Sequence, residues 1–143
     1  SRNKGKVYGS TSVTINGGLI KTDVYGGGEG GYQDSNEYGT YVRDNVTVLI
    51  SNGEVKGNVY GGSAYGTVNA LEQNTNTSNS TTTVTVNGGI VRTNLFGGAK
   101  GNSTYTPKVV GNITVNINNG SIGKVLMWAC WINIWDARFV AKL

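Results

Sequence analysis

Apolar residues recur two apart along this chain, in short blocks closed by glycine. Val13 and Ile15, Val48 and Ile50, Val84 and Val86, and then Ile113, Val115 and Ile117 keep this spacing, with mostly Thr and Asn between them. Alternation with period two predicts β-strands that turn their aliphatics to one buried face and their polar residues to water. Asn-Gly or Gly-Gly comes next, residue types with which a chain turns at little cost. A second apolar pair follows (Ile20 with Val24, Val55 with Val59, Val91 with Leu95), and then an aromatic residue and another Gly-Gly.

The blocks form a repeat. KVYGS (6–10), DVYGG (23–27), NVYGG (58–62) and NLFGG (94–98) align on the aromatic and its glycine. VTINGGLIKT (13–22), VLISNGEVKG (48–57) and VTVNGGIVRT (84–93) precede the last three, and VNINNGSIG (115–123) runs into KVL (124–126). Tyr25, Tyr60 and Phe96 are 35 and 36 residues apart, whereas Tyr8 and Tyr25 are 17 apart. The pattern predicts coils of about 17–20 residues, each longer period holding two coils or one coil and an insertion. Asn-Gly between strands is also the strongest short hairpin signal, which makes an antiparallel β-sandwich the alternative. A block recurring in register favours stacking of equivalent strands, so the expected fold is all-β, a parallel β-solenoid (β-helix) of short coils over residues 1–126. Residues 28–45 and 99–112 read as polar loops with room for a further short strand such as Gly39–Val42. Residues 69–83 (NALEQNTNTSNSTTT) read as a surface loop with nothing to place in a core.

Composition narrows the function classes. The 143 residues include 23 Gly and only 14% charged residues, and Gly, Asn, Thr and Val all disfavour helix. The net charge of +4 comes from scattered residues and makes no basic patch, so a nucleic-acid partner is not expected. There is no His, and Cys130 is alone, which removes His-based catalysis, His-ligated metal and an intramolecular disulfide. No metal and no cofactor are expected. No apolar run is long enough for a membrane-spanning helix. A cysteine-poor, Thr/Asn/Gly-rich chain suits export through a bacterial envelope. It starts at Ser1 without a leader pattern, as expected of a processed chain or one cut from something longer.

The unit carried by VTINGG…DVYGGG, ISNGEVKGNVYGG and VTVNGG…NLFGG resembles the Gly-rich repeats of large bacterial surface proteins, of the β-helical adhesin and autotransporter-passenger type. The resemblance covers roughly residues 5–126. It implies a secreted or cell-surface stalk or adhesin module with no chemistry of its own, set among neighbouring repeats of the same parent chain. The sequence leaves the pattern at MWACWINIWDARFVAKL (127–143), which holds all three Trp and the single Met and Cys. Trp128, Trp131, Ile132, Trp135 and Phe139 fall at helical spacing. These residues are either a cap over the last coil or a non-native tail.

Two rows are candidate binding residues. Lys4, Lys21, Lys56 and Arg92 each lie four residues before an aromatic anchor and would form a basic row. Tyr8, Tyr25, Tyr60 and Phe96 would form an aromatic row. Stacked strands repeat every ~4.8 Å, so the rows would repeat on the scale of sugar units. Lys21, Lys56, Arg92, Tyr25, Tyr60 and Phe96 are therefore the expected contacts for weak binding of an acidic polysaccharide or host surface glycan. The competing reading makes the aromatics core or rim packing and the cations a solvated face, which leaves a spacer without a ligand. The rival class is a polysaccharide lyase or glycosidase on the same architecture, which needs two facing carboxylates. Asp23 is the acid embedded in a repeat, but Asn58 and Asn94 stand at its equivalent positions, which marks a turn-forming role. Asp34 and Glu37 are the remaining pair. No catalytic residue is assigned.

Overall fold

The computed structural model describes residues 5–30, 33–34, 37–38, 40–71, 77–126 and 139–142, and these are strands and turns with no helix. In chain order the strands are β1 (Lys6–Val7), β2 (Thr11–Ile20), β3 (Val24–Tyr25), β4 (Gln33–Asp34), β5 (Glu37–Tyr38), β6 (Tyr41–Val42) and β7 (Val46–Val55). They continue with β8 (Val59–Tyr60), β9 (Thr67–Val68), β10 (Thr81–Val86), β11 (Ile90–Phe96), β12 (Asn112–Ile117), β13 (Ser121–Leu126) and β14 (Phe139–Lys142). The fold is all-β and its two larger sheets are parallel. Among the described residues antiparallel pairing is confined to the short ribbon of β4 and β5.

Each Asn-Gly turn therefore bends the chain without folding it back on itself. β2, β7, β10, β12 and β14 lie side by side, in that order, in one part of a nine-stranded sheet. Val13, Val48, Val84 and Val115 stand in one row across these strands, and Ile15, Ile50, Val86 and Ile117 in the next row of the same parity. Ile20, Val55, Val91 and Ile122 form a third row beyond the turn, and Val24, Val59, Leu95 and Val125 a fourth. These four rows make the main core. A three-stranded sheet of β1, β6 and β9 adds Val42 and Val68, which pack with Val46 in a smaller cluster. Each fully buried Val, Ile or Leu contributes about 1.5–3 kcal/mol relative to exposure.

The pairing offset is that of the longer period. Partners across the parallel strands are 26–36 residues apart in sequence, and among the described residues no parallel pairing has a 17-residue offset. The short spacing between Tyr8 and Tyr25 arises because VYG occurs twice before the first paired strand returns. Val7 pairs with Val42 in the smaller sheet, while Tyr25 pairs with Tyr60 in the larger one. Tyr8, 57% exposed, is thus outside the aromatic row.

Two kinds of glycine make the repeat necessary. Gly18, Gly53, Gly89 and Gly120 close the Asn-Gly turns and share a positive φ, between 81° and 108°, that other residues adopt only with strain. Gly26, Gly61 and Gly97 follow the aromatic anchors at ordinary φ, and here the requirement is space. A Cβ on Gly26 would run into the carbonyl of Gly61, and a Cβ on Gly61 into that of Gly97. The amides of Gly26, Gly61 and Gly97 donate to the carbonyls of Tyr60, Phe96 and Leu126 at 2.8–3.0 Å, so the ladder continues through the corner.

The stretch 69–83 departs from the expected surface loop at both ends. Asn69, Ala70 and Thr82 are buried. Asn69 is left-handed at φ 61° and fully buried, and its side chain spends its hydrogen-bonding groups on the protein. Its Nδ2 donates to the carbonyls of Asp44 (2.9 Å) and Thr81 (3.0 Å), and its Oδ1 accepts the Thr82 hydroxyl at 2.8 Å. A polar residue at the start of a polar run thereby pins the corner between β9 and β10. Residues 72–76 lie outside the described residues, as do Trp128, Trp131, Ile132 and Trp135. Phe139, expected on a helical face, begins β14, which pairs in parallel with β12 from Ile113↔Phe139 to Asn116↔Lys142.

Candidate functional site

The register brings Lys21, Lys56 and Arg92 to one row position, each following a member of the Ile20, Val55, Val91 row. Lys4 lies outside the described residues. All three are exposed, but the row is not uniformly basic. The Arg92 Nε donates to Glu54 Oε1 at 2.8 Å from the neighbouring strand. That bond holds the Glu54 carboxyl below the usual carboxylate range, with the Arg92 and Lys56 charges adding to it. Lys21 and Lys56 are left as the exposed cations of the row.

The aromatic row forms and closes. Tyr25 and Tyr60 stack at 5.2 Å between ring centroids with planes 9° apart, and Tyr60 stacks on Phe96 at 4.7 Å and 3°. Parallel strands in register superimpose equivalent rings, which is the offset-stacked geometry aromatic pairs favour by about 0.5–1.5 kcal/mol beyond burial. Tyr60 is 2% exposed and Phe96 5%, so neither offers a face to a sugar. Half-buried Tyr25 ends the stack on the β3 side, and its hydroxyl is engaged.

That engagement is the densest polar cluster found among the described residues. Tyr25 donates its hydroxyl to Asp23 Oδ2 at 2.9 Å. Lys100, far along the chain, reaches both groups, donating from Nζ to Asp23 Oδ2 at 3.2 Å and to the Tyr25 oxygen at 3.1 Å. The ammonium also lies 5.8 Å from the Tyr25 ring centroid, within cation–π range. On the Asp23 carboxyl, burial acts to raise the pKa, but the Asn58 N–H, the Tyr25 hydroxyl and the Lys100 ammonium outweigh it and hold the group low. Burial and the adjacent carboxylate raise the Tyr25 hydroxyl against the opposing pull of Lys100. The hydrogen bond to Tyr25 and the Asp23 charge raise Lys100 despite its partial burial. All three shifts favour a charged acid, a neutral phenol and a charged amine. The cluster is a clamp that ties Asp23 and Tyr25 to Lys100 through two hydrogen bonds and an ion pair.

Asp23 also heads a ladder. Its Oδ1 accepts the Asn58 backbone N–H at 2.8 Å, and Asn58 Oδ1 accepts the N–H (3.2 Å) and Nδ2 (2.9 Å) of Asn94. The Asp-to-Asn equivalence in the repeat is thus one backbone-capping job, done by Asp23 for Asn58 and by Asn58 for Asn94. Lys100 lacks any repeat signature, which is why sequence reasoning missed it. Its only trace was a lone cation just after a Gly-Gly corner. Asp34 and Glu37 stand directly opposite each other in the antiparallel ribbon, and their side chains lie outside the described residues. Among the described residues no group of three His, Cys, Asp or Glu is placed to hold a metal ion, and no helix is long and apolar enough to cross a membrane.

Comparison with protein families, with curated proteins and with solved structures finds no match to this chain.

Proposed function

We propose that the chain is a non-catalytic structural module, a segment of a parallel β-solenoid that serves as a stalk or spacer in a secreted or cell-surface bacterial protein, among further repeats of the same parent chain. The observation that carries this reading is the in-register row pattern. The Val13–Val48–Val84–Val115 row, the Tyr25–Tyr60–Phe96 stack and the Asn58–Asn94 and Asn87–Asn118 pairs each meet their own kind 31–36 residues on, the pattern that stacked circuits require. The buried ring stack weighs against the glycan-binding face, since the aromatic half of that face is spent on packing. Small-angle scattering tests the reading. Duplicating residues 48–83, one full period, should lengthen the particle by about 5 Å at constant cross-section. A thicker particle of unchanged length would overturn it.

A weaker adhesive role keeps one observation in its favour, the exposed pair Lys21 and Lys56. If those cations bind an acidic polysaccharide, replacing both by Ser should abolish retention on an anionic glycan column at low salt. Equal retention of the two proteins would assign the interaction to net charge alone.

A further inference from the structure

The Asn-Gly turns that close each circuit are chemically unequal, and the difference is visible in the hydrogen bonds. Four Asn-Gly pairs occur: Asn16-Gly17, Asn52-Gly53, Asn87-Gly88 and Asn119-Gly120. In two of them the following glycine turns its amide onto the asparagine's own side chain. Gly53 N donates to Asn52 Oδ1 at 2.9 Å, and Gly120 N to Asn119 Oδ1 at 2.9 Å. Both asparagines are exposed, and both glycines hold the positive φ of the turn. Asn87 is held differently, because its Oδ1 accepts Nδ2 of Asn118 from the next circuit at 2.8 Å. Asn16 makes no side-chain hydrogen bond among the described residues.

We propose that Asn52 and Asn119 are sites of spontaneous backbone-assisted deamidation, with water as the co-reactant. The turn places the backbone nitrogen of residue i+1 in contact with the carboxamide it attacks, and glycine offers no Cβ to obstruct it. Loss of the amide proton to solvent base lets that nitrogen bond to Cγ, and the former Nδ2 leaves as ammonia, closing a five-membered succinimide. Water then opens the ring. Breaking the new N–Cγ bond gives Asp, and breaking the original main-chain amide gives isoaspartate. Either way one neutral amide and one water become one carboxylate and one ammonium ion. Holding nucleophile and electrophile together removes the orientational cost that Asn16, without such a bond, must meet. Asn87 carries the opposite bias, its carboxamide being turned toward Asn118.

The product matters at these positions because there is no slack. A Cβ added to Gly53 would stand 2.8–3.0 Å from Gly17 and Gly18, and one added to Gly120 3.0–3.2 Å from Gly88 and Gly89. An isoaspartate lengthens the main chain by one atom in that packed row. Each event also adds one negative charge, so conversion of both takes the net charge from +4 to +2.

Peptide mapping by mass spectrometry, with an isoaspartate-specific methyltransferase as the second readout, tests this on the intact chain. The folded protein is incubated in mildly alkaline buffer, beside the same chain in urea. In the folded protein Asn52 and Asn119 should convert about tenfold faster than Asn16 and Asn87. In urea the four rates should converge, because all four share the Asn-Gly sequence. Asn118→Ala should speed conversion at Asn87 in the folded state. Folded-state rates in which Asn16 or Asn87 matches Asn52, or a ranking that persists in urea, would overturn the assignment. An unchanged Asn87 rate in Asn118→Ala would overturn the protective role of that bond.

Discussion

Asn69 and Asp23 show how much of the fold rests on single polar side chains. Replacing Asn69 by Ala removes three hydrogen bonds, leaves the buried Thr82 hydroxyl unpaired and puts at positive φ a residue that tolerates it less well than Asn. The expected loss is about 2–4 kcal/mol in urea unfolding. Asn69→Gly loses the bonds but not the backbone preference, so it should be the milder variant. Equal losses would show that the φ of this residue is immaterial. The Asp23 clamp makes a pH-dependent prediction. Its folded pKa is below its unfolded value, so its stabilisation is complete above the unfolded value and vanishes as pH falls through the folded one. Asp23→Asn keeps the ladder, as Asn58 does toward Asn94, and loses the charge. The variant should be less stable than wild type at neutral pH by about 1 kcal/mol or less, and the gap should begin to narrow near about pH 4 and close once the pH is below the lowered folded value. A gap that stayed open in acid would mean that Lys100 contributes through something other than this ion pair.

At the scale of elements, the two glycine types separate in a pair of substitutions. Gly61→Ala drives a methyl into the Gly97 carbonyl and against Thr82 and Val84, whereas a methyl on Gly17 meets nothing within 4 Å. Gly61→Ala should cost at least about 3 kcal/mol, and Gly17→Ala should be neutral or mildly stabilising through the unfolded chain. Thermal melts of the two variants check this, and a small effect at Gly61 would mean that the corner can open. The strands themselves were legible in the sequence because each buries one face, so that Val/Ile spacing and pairing register express the same constraint. The row of Val13, Val48, Val84 and Val115 follows from it directly. The length of a circuit was less legible. A VYG triplet has the same composition in either sheet, and only pairing separates Tyr8 from Tyr25. Burial of the aromatic row was one of the two readings left open, since a stacked ring alternating with aliphatics reads the same whether its outer face is covered or bare. Lys100 left no periodic trace.

Across the whole molecule, burial grades from the middle outward. Val48 and Val84 are inaccessible, whereas Val13 at one end of their row is only partly buried, as is Ile117 at the far end of the adjoining row. Amide exchange should therefore be slowest in β7 and β10 and faster in β2 and β13, as expected when each strand is stabilised mainly by its neighbours in the sheet. Uniform exchange would imply a single cooperative unit. Val86→Asp, which puts an unpaired charge in the core, should abolish protection on both sides of β10.

The spacing of 26–36 residues between strand partners bears also on the kinetics of assembly. Each parallel pairing closes a loop of similar size, so the entropic toll per pairing does not grow along the chain. The toll is also forgiving, since doubling such a loop costs only about 0.6 kcal/mol. That is the physical licence for connecting segments as unlike as 28–45, 69–83 and 99–112 to share one scaffold.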